Sequence, residues 1–183
     1  RQISDEELDQ FGYASEVAWR LMEIDYNKSL EEILCSPDSA AEFDRLASLY
    51  GPVDATISAR EFRLAALSIR DRSVAARELS NEKFSGWISG ETKLAKAPIS
   101  GSIFQLAFPG VMVLSAGNSP VLVLETANIQ QRIEQLLANE NWRRLDLDQV
   151  QYVNQEGDVA TRWAMKSAIA KQLQPMLNCR LLT

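Results

Sequence analysis

The sequence predicts an α+β protein: a helical N-terminal half followed by a small mixed sheet-and-helix module. Three observations predict it. Apolar residues recur at spacings of three and four up to about residue 83. The texture then changes to Gly, Ser and Pro across 84–104. Two β-branched-rich runs follow, separated by a short turn-rich link. The expected division is therefore a helical region over 1–83, a connector over 84–104 and an α/β module over 105–183.

The elements follow in order. Ser4 before Asp5, Glu6 and Glu7 is an N-cap with acidic residues in the first turn. Leu8, Phe11, Tyr13, Val17, Leu21 and Ile24 supply one apolar face. Ser29 with Glu32 forms a capping box for a short helix. Pro37 restarts the chain, Phe43, Leu46, Leu49 and Tyr50 give a second stripe, and Gly51-Pro52 stops it. Ser58 caps a long helix over 59–83, with Phe62, Ala65, Ala66, Ile69, Ala76 and Leu79 on its buried face.

In the second half, Gly110 to Leu114 and Val121 to Leu124 read as an antiparallel hairpin. Asn128 caps a helix through Ala138, and Trp142 closes that unit. Residues 145–156 add a strand, Thr161 to Leu173 a helix stopped by Pro175, and Leu177 to Leu182 a last short strand.

Composition bounds the chemistry. The 183 residues are 46 % apolar and 24 % charged, which suits a globular chain with its own core. There is no apolar run of the roughly 18 residues a membrane span needs, and the first residues lack the apolar stretch of a signal peptide. With no His, zinc sites and His-based triads of the usual kinds cannot be assembled. Cys35 and Cys179 show no paired pattern and read as buried or idle thiols, which suits a cytoplasmic protein. The four tryptophans read as packing residues, with Trp87 in the connector as a candidate interface anchor.

The net charge is −6. Residues 1–100 hold 12 basic and 18 acidic residues, and 101–183 hold seven of each. Non-specific nucleic-acid binders gain affinity by displacing phosphate counterions and carry a basic excess. This acidic chain does not. One local pattern runs the other way: Arg63, Arg70 and Arg77, seven apart on the long helix, share a face. They read either as a phosphate-tracking stripe or as a solvated face neutralised by Glu61, Asp71, Glu78 and Glu82.

The second half carries a recognisable order of motifs. Pro109-Gly110-Val111-Met112 is followed by Val121-Leu122-Val123-Leu124-Glu125-Thr126-Ala127-Asn128, then Arg132 on a helix, and a late helix from Lys166 reaching Pro175 and Asn178. This order resembles the GIY-YIG nuclease domain over residues 105–183. The resemblance implies a small sheet with flanking helices and an endonuclease ancestry. In the family, a Tyr ends the first motif and a second Tyr opens the next; here those positions are Met112 and Leu122, and the second motif's Gly is Leu124. The family's phosphate-stabilising Arg is Arg132. Its metal-binding Glu, nine residues before the late Pro, falls on Lys166, and its late Asn is Asn178.

These replacements bear on chemistry. Phosphodiester hydrolysis in such a site needs a metal to offset transition-state charge, and a carboxylate is the hard oxygen ligand for Mg²⁺. Lys has donors only, and Met and Leu have no proton to exchange. A degenerate, non-catalytic GIY-YIG-like protein is therefore expected, with no metal ligands, no cofactor and another protein as partner. Two alternatives stand beside it. One is a nucleic-acid-binding module using Arg132, Lys166, Arg143 and Arg144 with the Arg63/Arg70/Arg77 stripe. The other is a Mg²⁺-dependent endonuclease with relocated ligands, for which Glu125 is the nearby carboxylate. Arg132 also has a structural reading, paired with Glu125 or Glu134. Lys166 with Arg132 would make a small cationic site.

Overall fold

A computed structural model describes residues 1–87, 94–100 and 103–177. It is an α+β protein, helical first and sheet-based second. The chain forms two compact units, Arg1–Asp71 and Arg72–Thr183. Their boundary lies inside a long helix rather than in the expected connector. The reason is packing: Phe84, Trp87 and Leu94, all in the expected connector, pack onto the core of the sheet.

The N-terminal unit is built from α1 (Asp5–Glu7), α2 (Tyr13–Tyr26), α3 (Leu30–Cys35), α4 (Pro37–Tyr50) and the first part of α5 (Ala59–Lys83). A π-helical turn, Leu8–Gly12, joins α1 to α2. Its wider turn rotates the face that follows. Hence the even stripe expected through Leu21 and Ile24 shifts: Met22 is buried and Ile24 is exposed. Phe11 and Phe62 meet edge to face at 5.8 Å in this core. Cys35 is an exposed thiol, not a buried one.

Reciprocal Ser/Glu capping boxes start α1 and α3, at Ser4/Glu7 and Ser29/Glu32. Ser58 and Glu61 bond each other in the same way at the start of α5. The Ser29 backbone N–H and then its hydroxyl hold Glu32 below the ordinary carboxylate value of 4.5. Ser58 does the same for Glu61. Carboxyls held down in the folded state stabilise fully above their unfolded value, and lose that contribution as pH falls toward the folded one. The thermal midpoint is expected to hold from neutral pH to about 4.5 and fall below it. Thermal melts followed by circular dichroism should show a shallower acid decline in Ser29→Ala and Ser58→Ala.

The C-terminal unit holds a four-stranded antiparallel sheet in the order β1-β4-β2-β3 among the described residues. The strands are β1 (Ala95–Pro98), β2 (Gly110–Ala116), β3 (Ser119–Thr126) and β4 (Gln149–Asn154). The hairpin joins Ala116 to Ser119 across Gly117-Asn118, and Gly117 supplies the positive φ of 59° that so tight a turn needs. Strand β1 falls in the expected connector. Its Ala, Lys and Pro carry no strand pattern, and it forms because the edge of β4 pairs with it. After Pro175, the N–H groups of Met176 and Leu177 bond to Pro120 and Val121 on the free side of β3. The rest of the expected last strand, with Asn178 and Cys179, lies outside the described residues.

Helices α6 (Ile129–Ala138), α7 (Glu140–Arg143) and α8 (Val159–Leu173) complete the unit. Strand side chains alternate between faces. Val111, Val113 and Val123 pack with Met165, Ile169 and Ala170 of α8 on one face. Gly110, Met112 and Leu114 therefore look to the other face. That face belongs to α6, since a Cβ on Gly110 would lie 3.1 Å from Cδ1 of Ile129. The sheet is thus sandwiched between α6 and α8.

Candidate functional site

The two strand positions of the resemblance, Met112 and Leu122, are fully buried. Leu122 pairs with Leu114, and Met112 with Leu124, so all four share the α6 face. Both positions are core, as apolar side chains in central strands should be. Neither is open to a substrate.

Arg132 sits on α6, starting one turn past the Asn128 cap, whose side chain accepts from the Gln131 N–H. It is buried, and its Nη1 donates to Gln135 Oε1 at 3.0 Å. Lys166 sits on α8, also buried, with Nζ 4.5 Å from the Trp163 ring centre. The sheet separates α6 from α8, so Arg132 and Lys166 do not form the joint cationic site that the sequence suggests. Sequence spacing alone does not report which face of the sheet each helix covers. Asn178 lies outside the described residues. Among the described residues, Met112, Leu122 and Arg132 lie on the α6 side of the sheet and Lys166 on the α8 side.

The other basic candidates have separate settings. Arg143 donates to the Leu137 carbonyl at 3.2 Å, and Arg144 pairs with Glu140 at 2.7 Å. Arg63 makes a two-point contact with Asp44, Nε to Oδ1 at 2.9 Å and Nη2 to Oδ2 at 2.5 Å. That contact raises the Arg63 pKa. Arg70 pairs with Glu31 and Asp71. Glu31 is held below the ordinary carboxylate value, first by its own backbone N–H and then by Arg70. Two of the three stripe arginines are therefore paired, Arg70 partly by Asp71 of its own helix as the sequence offered, and both by carboxylates of other helices. Asp44 and Glu31 come from other helices, 19 and 39 residues away.

Several charged groups went unread in the sequence. Arg162 on α8 donates from Nε to Glu125 Oε2 on β3 at 3.1 Å, and from Nη1 to the Gly157 carbonyl at 2.9 Å. Their side chains are 10 % and 9 % exposed. Glu125 is thus engaged by Arg162. On α2, Glu16 and Arg20 are buried, with the Arg20 guanidinium 3.7 Å from the Trp19 ring centre and bonded to Glu23 at 2.5 Å. The sequence signal for these was faint: charged residues inside stretches that otherwise read as buried.

Among the described residues, no three His, Cys, Asp or Glu side chains gather as a metal-holding group. No described helix is long and apolar enough to cross a membrane. In comparisons with family models, curated proteins and solved structures, nothing matches this chain.

Proposed function

We propose that this chain is a non-catalytic protein that acts by binding another protein. The observation that carries the reading is a patch on the N-terminal unit around Arg45. Glu42 grips the Arg45 guanidinium at two points, 2.8 and 2.7 Å, and so presents it in one orientation. Tyr26 and Tyr50 both lie near Arg45. Leu49, one helical turn beyond Arg45, is exposed, and Tyr26 is 55 % exposed. Tyr and Arg are the side chains that anchor protein interfaces, because they offer large apolar area and directed polar groups at low ordering cost.

Charge supports the same reading. Residues 1–71 hold seven basic and 15 acidic residues, and Arg63 and Arg70 are already paired. Such a surface repels a polyanion. At the family-like positions, Met112 and Leu122 supply no general base and Lys166 no carboxylate ligand. The GIY-YIG resemblance fits this proposal as ancestry without activity.

The test is affinity capture with the full chain, comparing wild type with Tyr26→Ala and Arg45→Ala. Proteins retained by wild type should fall about tenfold with each variant, while the melting curves stay unchanged. Retention of DNA or RNA with a steep salt dependence, equal in wild type and both variants, would replace this reading with the nucleic-acid one.

A further inference from the structure

The carboxylates of the N-terminal unit divide into two sets. One set is engaged within the fold: Glu7 with Arg1, Glu31 with Arg70, Glu42 with Arg45 and Asp44 with Arg63. Asp25, Asp38 and Asp54 are exposed and make no hydrogen bond or ion pair among the described residues. These three do not scatter. Asp38 lies on the outward stripe of α4, which runs Asp38, Glu42, Arg45, Leu49 at spacings of four, three and four. Asp25 precedes Tyr26 at the end of α2, and Tyr26 lies near Arg45, so that end sits alongside the stripe. Asp54 follows Val53, just past the end of α4.

Apolar exposure gathers in the same place. Among the described residues, Val53 at 62 % and Tyr26 at 55 % are the most open large apolar side chains, and Leu49 ends the stripe. Arg45 has its own counter-charge in Glu42, so the middle of this surface is close to neutral. An apolar, near-neutral centre inside a charged rim is the layout of a docking surface. We propose that this face of the N-terminal unit docks a basic amphipathic helix of a partner protein, an inference that rests on the protein-binding reading above.

Charge chooses the sign of the partner. Residues 1–71 hold seven basic and 15 acidic residues, and Lys or Arg of a partner would meet carboxylates that no group of this chain has taken. Geometry chooses the helix. The backbone groups of α4 are spent on its own hydrogen bonds, so an extended segment laid there finds no backbone partners, whereas a helix arrives with its own already bonded. From Asp38 to Leu49 the stripe runs about 16 Å, or about three turns of a helix packed along it. Such a helix sets apolar residues on Tyr26 and Leu49 and its cations at the rim. A second copy of this chain is disfavoured. Its N-terminal unit repeats the same negative charge, and residues 72–183 hold 12 basic and 10 acidic residues, too even a balance to draw it.

The test uses the full chain and three synthetic peptides, titrated while backbone amide signals are followed. The first has Leu at helical spacing and Lys elsewhere, the second has Glu in place of every Lys, and the third is the first scrambled so that its apolar face is lost. The first should move the Tyr26, Arg45 and Leu49 signals and saturate, and about 0.5 M salt should weaken it about tenfold. The other two should bind at least about tenfold more weakly. Asp25→Asn, Asp38→Asn and Asp54→Asn combined should weaken the first peptide about tenfold and flatten its salt dependence, with the melting curve unchanged. No saturable binding of the first peptide, equal binding of the Glu peptide, or full affinity in the triple variant would overturn the basic partner. The patch reading survives that result if Tyr26→Ala still removes the captured proteins, and falls if Tyr26→Ala changes nothing. Equal binding of the scrambled peptide would overturn the helix. A concentration-dependent mass in sedimentation, lost in Tyr26→Ala, would put a second copy in the partner's place.

Discussion

Replacing Glu125 with alanine is expected to lower the unfolding free energy by about 3–5 kcal/mol, because it strands the Arg162 charge in a buried setting. The pair bridges β3 and the start of α8, and Arg162 also holds the Gly157 carbonyl in the turn before that helix. Removing the carboxylate leaves a guanidinium with one neutral acceptor and little water. Removing both charges is milder: Glu125→Leu with Arg162→Met should recover more than half of the loss, since a well-packed apolar pair carries no desolvation penalty. Chemical denaturation with an unchanged slope measures both. A loss below about 1 kcal/mol in Glu125→Ala would mean that the pair is as weak as an exposed one.

Gly110→Ala is the second large effect, expected at about 3 kcal/mol of destabilisation. Gly110 begins β2, which is hydrogen-bonded on both sides, opposite Thr126 of β3 and Asn154 of β4. An added Cβ would collide with the Val153 carbonyl of β4 and press on Ile129 at the start of α6. Backbone in a central ladder cannot step aside as a flexible side chain would. The measurement is the denaturation midpoint together with amide exchange along β4, where protection should fall first. The same clash explains the glycine in Pro109-Gly110-Val111-Met112 without appeal to ancestry: a strand backbone passes where a side chain would stand.

The candidate site divides along the same line. That Met112 and Leu122 are core was legible from residue type, and so was their inability to exchange a proton or hold a metal. The separation of Arg132 from Lys166 was not. Both follow apolar stretches at ordinary spacings, and only the packing of α6 and α8 on opposite faces of the sheet keeps them apart.

Local signals, by contrast, determined most of the elements. Capping boxes at Ser4 and Ser29, the Asn128 cap, the Gly117 turn and the apolar period of α5 each act within a few residues, so the sequence states them directly. Tertiary structure decided what depends on distant partners. It recruited Ala95–Pro98 as an edge strand, turned the face of α2 through a π-helical turn, and paired Arg63 with Asp44, Arg70 with Glu31 and Arg162 with Glu125. Hydrogen-bond caps and turns are short-range forces, written in neighbouring residues. Charge pairing and sheet order are settled only when the folded chain brings remote groups within reach of one another.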